Sequence, residues 1–242
     1  FTHKPAGEQA VNEFLSRGAF PGLIKTGHTE ALHQLYTEIL CKDAVIAGGI
    51  RDRNTLQRMA LHLITNTGEP VTANKLREKL KIKAVSTAAE HMQCIETAGL
   101  VRFVSILSDN PARQAVNPRK VYAVDTALAA AVSTAETVDR NKLFETMLFN
   151  HLCRESRSVC YTNEQGGCDF IASDAEGGVR CIQACYDDDP DLMQTKTDGL
   201  LWALRQTGSS RGTIVTADRN DRIDAENFEI EVIDADTFLG GY

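Results

Sequence analysis

Hydrophobic residues recur at three- and four-residue spacing through the first half of the chain, which is typical of amphipathic helices. Helices are predicted over residues 8–16, 29–43, 56–66, 73–80 and 87–98, with Thr72 and Ser86 as N-caps and Gly99 as a stop. Two strand-like runs follow at 101–107 and 120–124, around a polar loop that contains two prolines. Three short helices and a β-hairpin in this order indicate a winged helix-turn-helix.

The pattern changes after residue 135. An apolar helix is predicted over 143–155, and strands over 158–161, 168–172 and 179–186 are separated by paired glycines. A helix at 192–206, strands at 213–216 and 228–233, and a last helical turn at 236–239 complete the chain. This αβββαβ order is that of restriction-endonuclease-like folds. The chain is therefore predicted to be α+β, with a helical connector at 1–50, a winged helix at 51–134 and a nuclease-like domain at 135–242.

Composition narrows the class of protein. Of the 242 residues, 43% are hydrophobic, which is enough to bury a core, and no apolar run approaches the roughly 20 residues of a membrane helix. The polar residues 3–9 argue against a secretory signal, and the start at Phe1 suggests a fragment or a processed chain. Seven scattered cysteines without a CxxC motif predict reduced thiols and a cytoplasmic location. The spacing of Cys160, Cys168, Cys181 and Cys185 favours core packing over zinc.

Charge is divided unevenly between the two halves. Residues 1–135 carry 16 Lys and Arg against 12 Asp and Glu, whereas residues 136–242 carry 10 against 21. The basic excess peaks around the fourth predicted helix and predicts contact with the phosphates of double-stranded DNA. The candidate DNA-binding residues are Lys75, Arg77, Lys79, Lys81 and Lys83, then Ser86, Thr87 and His91 on the next helix and Arg119 on the wing, beside Arg113 and Lys120. A solvated face that docks protein instead is the alternative.

The nuclease-like half offers a candidate metal site. Glu145 lies on the first helix of that half, Asp169 on a strand and Gln183 on the next strand. Acids at such positions hold Mg²⁺ ions that activate water, and Asp169 is the candidate ligand. Gln183 and Cys185 stand where an active site has an acid and a lysine, and Lys196 is the nearest later lysine. The three residues are therefore predicted to form a degenerate site, with structural roles for Glu145 and Asp169 as the alternative.

Other chemical motifs are weak. Residues 22–29 fit G-x4-G-x-T, but His28 replaces the P-loop lysine, so no ATP site is predicted. The acidic run at 187–191 is predicted to lead into a helix rather than to bind metal. The six histidines are isolated, and none is predicted to be a catalytic base.

The chain resembles the C-terminal part of prokaryotic, archaeal-type AAA ATPases, the region named domain of unknown function 4143. The resemblance rests on short segments in the family's order: 14–21, 35–43, 50–51, 63–66, 120–125, 143–145, 168–170 and 181–185. It implies a winged helix, a restriction-endonuclease-like domain, and an upstream ATPase domain that holds the ATP and Mg²⁺ and lies outside this chain. The acid that the family has before its aspartate is replaced here by Cys168.

Three functions follow from this sequence. The first is an accessory or regulatory region of an AAA-type ATPase that binds DNA or a partner protein, without a cofactor of its own. The second is a Mg²⁺-dependent DNA endonuclease acting through Glu145, Asp169 and Gln183. The third is a protein-interaction module that contacts no nucleic acid. Expected partners are double-stranded DNA, the upstream ATPase domain and a second copy of the chain, and no membrane.

Overall fold

A computed structural model describes residues 7–20, 29–42, 50, 52–108, 110, 114, 117–133, 139–164, 166–187, 189–225 and 227–240. The chain folds as α+β, as its hydrophobic pattern predicts. The first half contains α1 (Glu8–Arg17), α2 (Thr29–Glu38), α3 (Arg53–Thr65), β1 (Pro70–Val71), α4 (Ala73–Leu80), α5 (Val85–Thr97), β2 (Val101–Val104), β3 (Arg119–Ala123) and α6 (Thr126–Val132). The second half contains α7 (Arg140–Glu155), β4 (Ser158–Cys160), β5 (Phe170–Ser173), β6 (Val179–Cys185), α8 (Pro190–Thr207), β7 (Arg211–Thr216), β8 (Asp221–Ala225), β9 (Phe228–Asp234) and α9 (Ala235–Gly240).

A small antiparallel sheet joins β1, β3 and β2 in that spatial order. Lys120 on the central strand β3 lies opposite Pro70 of β1 and Val104 of β2. Because side chains alternate along a strand, Lys120 and Tyr122 face one side of this sheet and Arg119 faces the other. The strand β1 and the helix α6 were not predicted from the sequence.

One predicted cap is wrong. Helix α5 begins at Val85, its N-cap position is Ala84, and no side chain caps it. Ser86 therefore lies inside the first turn rather than at the cap. Thr72 does cap α4, because its side-chain oxygen accepts a hydrogen bond from the Lys75 amide at 3.1 Å. Gly99 follows α5 with a φ of +74°, a left-handed conformation that favours glycine and ends the helix.

A large sheet has the strand order β4-β5-β6-β7-β9-β8. The strands β6, β7 and β9 are parallel, and the remaining neighbours are antiparallel. On β6, Ile182 and Ala184 join the core under α7, whereas Cys181 and Cys185 join the core under α8. The middle of this strand is buried on both faces because a helical layer covers each side of the sheet.

The two halves share one hydrophobic core. A continuous cluster of buried residues extends from Val11 to Phe238 and includes side chains from both sheets. At its centre, Tyr122 of β3 stacks on Phe149 of α7, with ring centroids 4.2 Å apart. The boundary proposed at residues 134 and 135 stays a prediction and falls within 134–138, outside the described residues.

Several sequence motifs also lie outside the described residues. They are residues 22–28 of the glycine-containing motif and Arg113 of the wing. Within the acidic run, Asp189 caps α8 and accepts hydrogen bonds from the amides of Asp191 and Leu192. None of the helices that the structure describes has the length and apolar character needed to span a membrane.

Candidate functional site

A group of buried and half-buried ionisable residues lies where the two halves meet. We call it the charge cluster, and its members are Lys120, Tyr122, Glu145, Asp169 and Lys196. Lys120 and Tyr122 come from β3, Glu145 from the middle of α7, Asp169 from the residue before β5, and Lys196 from α8. The structure thus brings together the predicted pair Glu145 and Asp169. It also adds Lys120, which the sequence assigned to the DNA-facing wing, and Tyr122, which the sequence did not single out.

Lys120 joins the two carboxylates. Its Nζ lies 2.7 Å from Glu145 Oε1 and 3.0 Å from Asp169 Oδ1. The Tyr122 hydroxyl donates to the same Glu145 Oε1 at 2.6 Å. Lys196 Nζ approaches the other Asp169 oxygen, Oδ2, at 2.5 Å, and the Ala184 amide donates to that oxygen at 3.1 Å. Every Asp169 oxygen therefore has a cationic partner.

Burial and charge oppose each other in the cluster. Burial alone would raise the pKa of the Asp169 carboxyl, but Lys196 and Lys120 outweigh it and hold that pKa well below its usual range. Burial would lower the pKa of Lys120, yet Glu145 and Asp169 raise it well above the usual value. The pKa of Lys196 is likewise raised by Asp169 and Glu145 against the effect of burial. Lys120, Lys196 and Asp169 are therefore charged at neutral pH. The cluster contains two lysines and two carboxylates.

Gln183 has a structural task beside the cluster. It is fully buried, and its Oε1 accepts a hydrogen bond from the Asp169 amide at 3.0 Å. Its Nε2 donates to the carbonyl oxygens of Gly167 at 2.7 Å and Lys196 at 2.9 Å. Both ends of the amide are therefore engaged in fixing the segments that carry Asp169 and Lys196. Of the three predicted catalytic residues, Gln183 is the one whose side chain points to backbone rather than to the other two.

Glycines allow α8 to approach this region closely. A Cβ built on Gly199 would overlap the carbonyl oxygen of Gly167 and lie 3.0 Å from Gln183 Nε2. Only glycine fits at this position of α8 without a shift of the backbone. The contact places Lys196, one helical turn earlier, against Asp169. Cys185 occupies the strand position at which an active nuclease-like site has a lysine. In this chain the lysine reaches the cluster from α8 instead.

The arrangement is a poor fit for a resident metal ion. Within the described ranges, no group of three or more His, Cys, Asp or Glu residues is placed to hold one. The two carboxylates that the sequence offers as ligands are joined instead by the ammonium group of Lys120. A cation placed there would also raise the net charge of a buried site that is already neutral.

The cysteines of the second half serve the core. Cys168, Cys181 and Cys185 are buried, and none of the seven cysteines, all within the described residues, forms a disulfide. Burial raises the pKa of Cys160 to about 11 and raises that of Cys168 further. These thiols are therefore uncharged at neutral pH and lack the thiolate form that binds zinc or attacks a substrate.

A second candidate site is an exposed basic surface on α4 and the turn after it. The side chains of Lys75, Lys79, Lys81 and Lys83 are exposed, while Leu76 and Leu80 on the opposite face are buried. None of these four lysines forms an ion pair with a residue that the structure describes. Arg77 differs, because it lies 2.9 Å from Glu78 and also donates to Asn74. We call the four lysines the basic surface.

Only some of the residues predicted to contact DNA from the neighbouring helix α5 are exposed. Val85 and Ser86 at its start are exposed, and Thr87 is half-buried. His91 is 3% exposed, so the prediction that it contacts DNA is wrong: its ring faces the core. Arg119 stacks over the Phe103 ring, with its guanidinium carbon 4.5 Å from the ring centroid. Lys120 was wrongly grouped with it on the wing, since alternation along β3 turns Lys120 into the charge cluster.

Comparison with known families adds one result. The family model described as "Domain of unknown function (DUF8612)" matches residues 8–139, which is more than half of the chain. The chain belongs to the DUF8612 family. No curated protein and no solved structure matches the chain.

The DUF8612 match divides the candidate sites. The matched segment contains the basic surface, Lys120 and Tyr122, whereas Glu145, Asp169 and Lys196 follow it. The charge cluster thus links the DUF8612 segment to the remainder of the chain. The resemblance to the C-terminal region of AAA ATPases concerns a different family and stays a prediction.

Proposed function

We propose that this chain binds duplex DNA through its basic surface, as an accessory region of a larger protein. The observation that carries the proposal is the set of four exposed lysines on one helix and turn, without ion-pair partners among the described residues. Exposed lysines without an acidic neighbour attract phosphates, because neutralising a phosphate releases the counterions held by the duplex. The acidic excess of the second half makes that half a poor alternative surface for DNA.

The arrangement around the basic surface supports this proposal. The order α3-β1-α4-α5-β2-β3, with β3 central in the small sheet, is the order of a winged helix. In that fold the start of α5 approaches the bases, and here it offers the exposed Val85 and Ser86. Neither carries the bidentate donors that distinguish a guanine. Phosphate contact with little sequence preference is therefore the mode of binding we propose.

The endonuclease alternative receives less support. It requires a metal ion at Glu145 and Asp169, and the Lys120 ammonium lies between those carboxylates. It also requires a ligand at Gln183, whose amide is engaged with backbone groups. We therefore include in the proposal that the second half supports the first without cutting DNA.

The cellular setting forms a further part of the proposal. Seven cysteines without a disulfide suit a reducing compartment such as the cytoplasm. By the sequence resemblance, the larger protein would be an AAA-type ATPase whose ATP and Mg²⁺ are bound upstream of this chain. DNA held at the basic surface would then influence ATP turnover in that domain.

The test is binding of a fluorescent 20-base-pair duplex, measured by anisotropy at about 50 and 200 mM salt. Four phosphate contacts predict a loss of affinity of about a hundredfold between these salt concentrations. The pair Lys79→Glu and Lys81→Glu should weaken binding at the lower salt by more than tenfold. A matched control, Lys42→Glu with Arg157→Glu, changes the net charge equally at exposed positions away from α4 and should bind nearly as well as the wild type.

Each outcome has a distinct meaning. Equal weakening in both double variants would show that net charge alone drives binding and would contradict the basic surface as the site. Absence of binding at either salt concentration would favour the protein-interaction alternative. Cleavage of the duplex in the presence of Mg²⁺, lost in Asp169→Ala, would favour the endonuclease.

A further inference from the structure

A cavity of about 680 Å³ lies on the α8 side of the large sheet, at its β4 border. Helix α8 lies mainly over β6 and β7. Beside it, the same face of β4 and β5 forms the floor of the cavity, with Ser158 and Cys160 from β4 and Ile171 and Ser173 from β5. We call this space the β4 cavity. Its volume is in the range of clefts that bind small organic molecules.

Aromatic and aliphatic side chains line much of the β4 cavity. They include Trp202 of α8, the only tryptophan of the chain, and Leu107 from the segment after β2. Leu107 and Val179, which also lines the cavity, are each 37% exposed and belong to the four large hydrophobic side chains that are exposed among the described residues. An indole ring beside aliphatic side chains suits a planar ligand, because aromatic rings stack on each other.

Several polar groups in this lining have no partner among the described residues. The Trp202 indole N–H, the Gln206 amide and the Glu164 carboxylate form no hydrogen bond to any of them. On the floor, the Ser158 and Ser173 hydroxyl oxygens lie 2.6 Å apart. Because one hydroxyl proton serves that bond, the other remains available to a ligand. The cavity therefore offers both donors and an acceptor.

The charge of the lining disfavours anionic ligands. Among the described residues that line the cavity, Glu164 is the one charged side chain, and none is a lysine, arginine or histidine. A phosphate or carboxylate group held there would lack the cationic donors that bind such groups most strongly, and it would face the Glu164 carboxylate. An uncharged planar heterocycle meets these conditions, because its ring nitrogens accept hydrogen bonds and an exocyclic amine donates them.

We propose that the β4 cavity binds an uncharged purine nucleoside, with its base stacked on Trp202 and its exocyclic amine donating to Glu164. An unpaired purine in a nucleic-acid strand offers the same ring, but it brings phosphates with it, and the lining therefore favours the free nucleoside. This inference goes beyond DNA binding, because the basic surface contributes no residue to the cavity.

The experiment follows the fluorescence of Trp202 in the full 242-residue chain, since a single tryptophan reports directly on a ring stacked against it. Adenosine should quench this emission to saturation, with a dissociation constant below about 1 mM. N-acetyltryptophanamide corrects for collisional quenching. Adenosine monophosphate and single-stranded oligo(dA) carry the same base with phosphates and should bind at least tenfold more weakly. Equal or tighter binding of either would overturn the assignment of an uncharged ligand, as would the absence of saturable quenching by adenosine.

Substitutions locate the binding in the cavity. Ser158→Phe places a ring on the floor and should abolish adenosine binding, whereas Ser16→Phe, at an exposed serine of α1 outside the cavity, should bind as the wild type does. Glu164→Ala, at an exposed position that tolerates substitution, should weaken adenosine binding at least fivefold. Circular dichroism establishes that each variant is folded. Undiminished adenosine affinity in a folded Ser158→Phe or Glu164→Ala chain would overturn the proposal.

Discussion

Asp169 is the residue on which the charge cluster depends, because each of its oxygens faces a different lysine. Lys120 approaches Oδ1 and Lys196 approaches Oδ2. The sequence identified Asp169 and Glu145 from their place in the αβββαβ order. It did not identify Lys120, because the alternation that turns this side chain inward depends on the register of β3 in a sheet formed by distant segments.

Asp169→Asn should strongly destabilise the fold. The substitution leaves two buried lysines short of their counter-charge, and breaking a buried ion pair in this way costs about 3 kcal/mol of unfolding free energy. Urea denaturation followed by circular dichroism measures the effect. Glu69→Gln, which removes the exposed partner of Lys142, serves as the control and should cost less than about 1 kcal/mol. Equal effects of the two substitutions would contradict the assigned role of Asp169.

His91 predicts a dependence of stability on pH. Burial lowers the pKa of this histidine in the folded chain, so the unfolded chain binds the proton more readily. Its contribution to stability is therefore present above about pH 6.5, the ordinary value, and is lost as the pH falls below it. In urea titrations between pH 7 and 5, His91→Gln should lose less stability than the wild type. The exposed His33→Gln should follow the wild-type curve, and a His91→Gln curve parallel to the wild type would refute the assignment.

At the scale of elements, the hydrophobic pattern located most helices and strands but not the short or highly polar ones. The bounds of α4 agree with the prediction because Thr72 caps its start and Lys81, in a left-handed conformation, ends it. The strand β1 is only two residues long, and β8 carries charges at three of five positions. Neither therefore shows the alternation of hydrophobic and polar residues that is typical of a strand. Their pairing partners, β3 and β9, define these strands.

The two candidate caps give a direct comparison. Thr72→Ala should destabilise the chain by about 1 kcal/mol, because the Lys75 amide loses its acceptor at the start of α4. Ser86→Ala should change the unfolding free energy by only a few tenths of a kcal/mol, since Ser86 lies in the first turn of α5 and is exposed. Guanidinium denaturation of both variants measures the difference. A larger loss in Ser86→Ala would contradict the position of the α5 start.

At the scale of the whole molecule, the shared core makes the two halves one unit despite their different charge. Tyr122 of β3 packs against the rings of Phe149 and Phe170 from the second half, and these two rings also contact each other. Local periodicity cannot reveal such contacts, because they join residues that are 27 and 48 positions apart from Tyr122 in the chain. The sequence therefore predicted two modules with different hydrophobic patterns, but it did not predict how one module packs against the other.

Residues 139–242 expressed alone should be much less stable than the full chain. The fragment keeps Glu145, Phe149 and Asp169 but loses Lys120 and Tyr122, which neutralise and cover them. In the full chain, Trp202 fluorescence and far-ultraviolet circular dichroism should report the same urea midpoint. The fragment should unfold at a lower urea concentration or lack a cooperative transition. A fragment with the midpoint of the full chain would show that the halves are stable independently.

The two borders of the large sheet bear on aggregation. Strand β8 closes one border and exposes Asp221, Arg222 and Asp224, charges that discourage another chain from adding a strand. Beyond β4 at the other border, Tyr161 bridges to Ile106, and the Leu107 amide donates to the Tyr161 carbonyl oxygen. The segment after β2 thus serves as a cover for backbone groups that would otherwise recruit a neighbouring molecule. Separation of the small sheet from this border would therefore expose these backbone groups and promote self-association of the chain. A partner that bound in place of the small sheet would have to shield the same border.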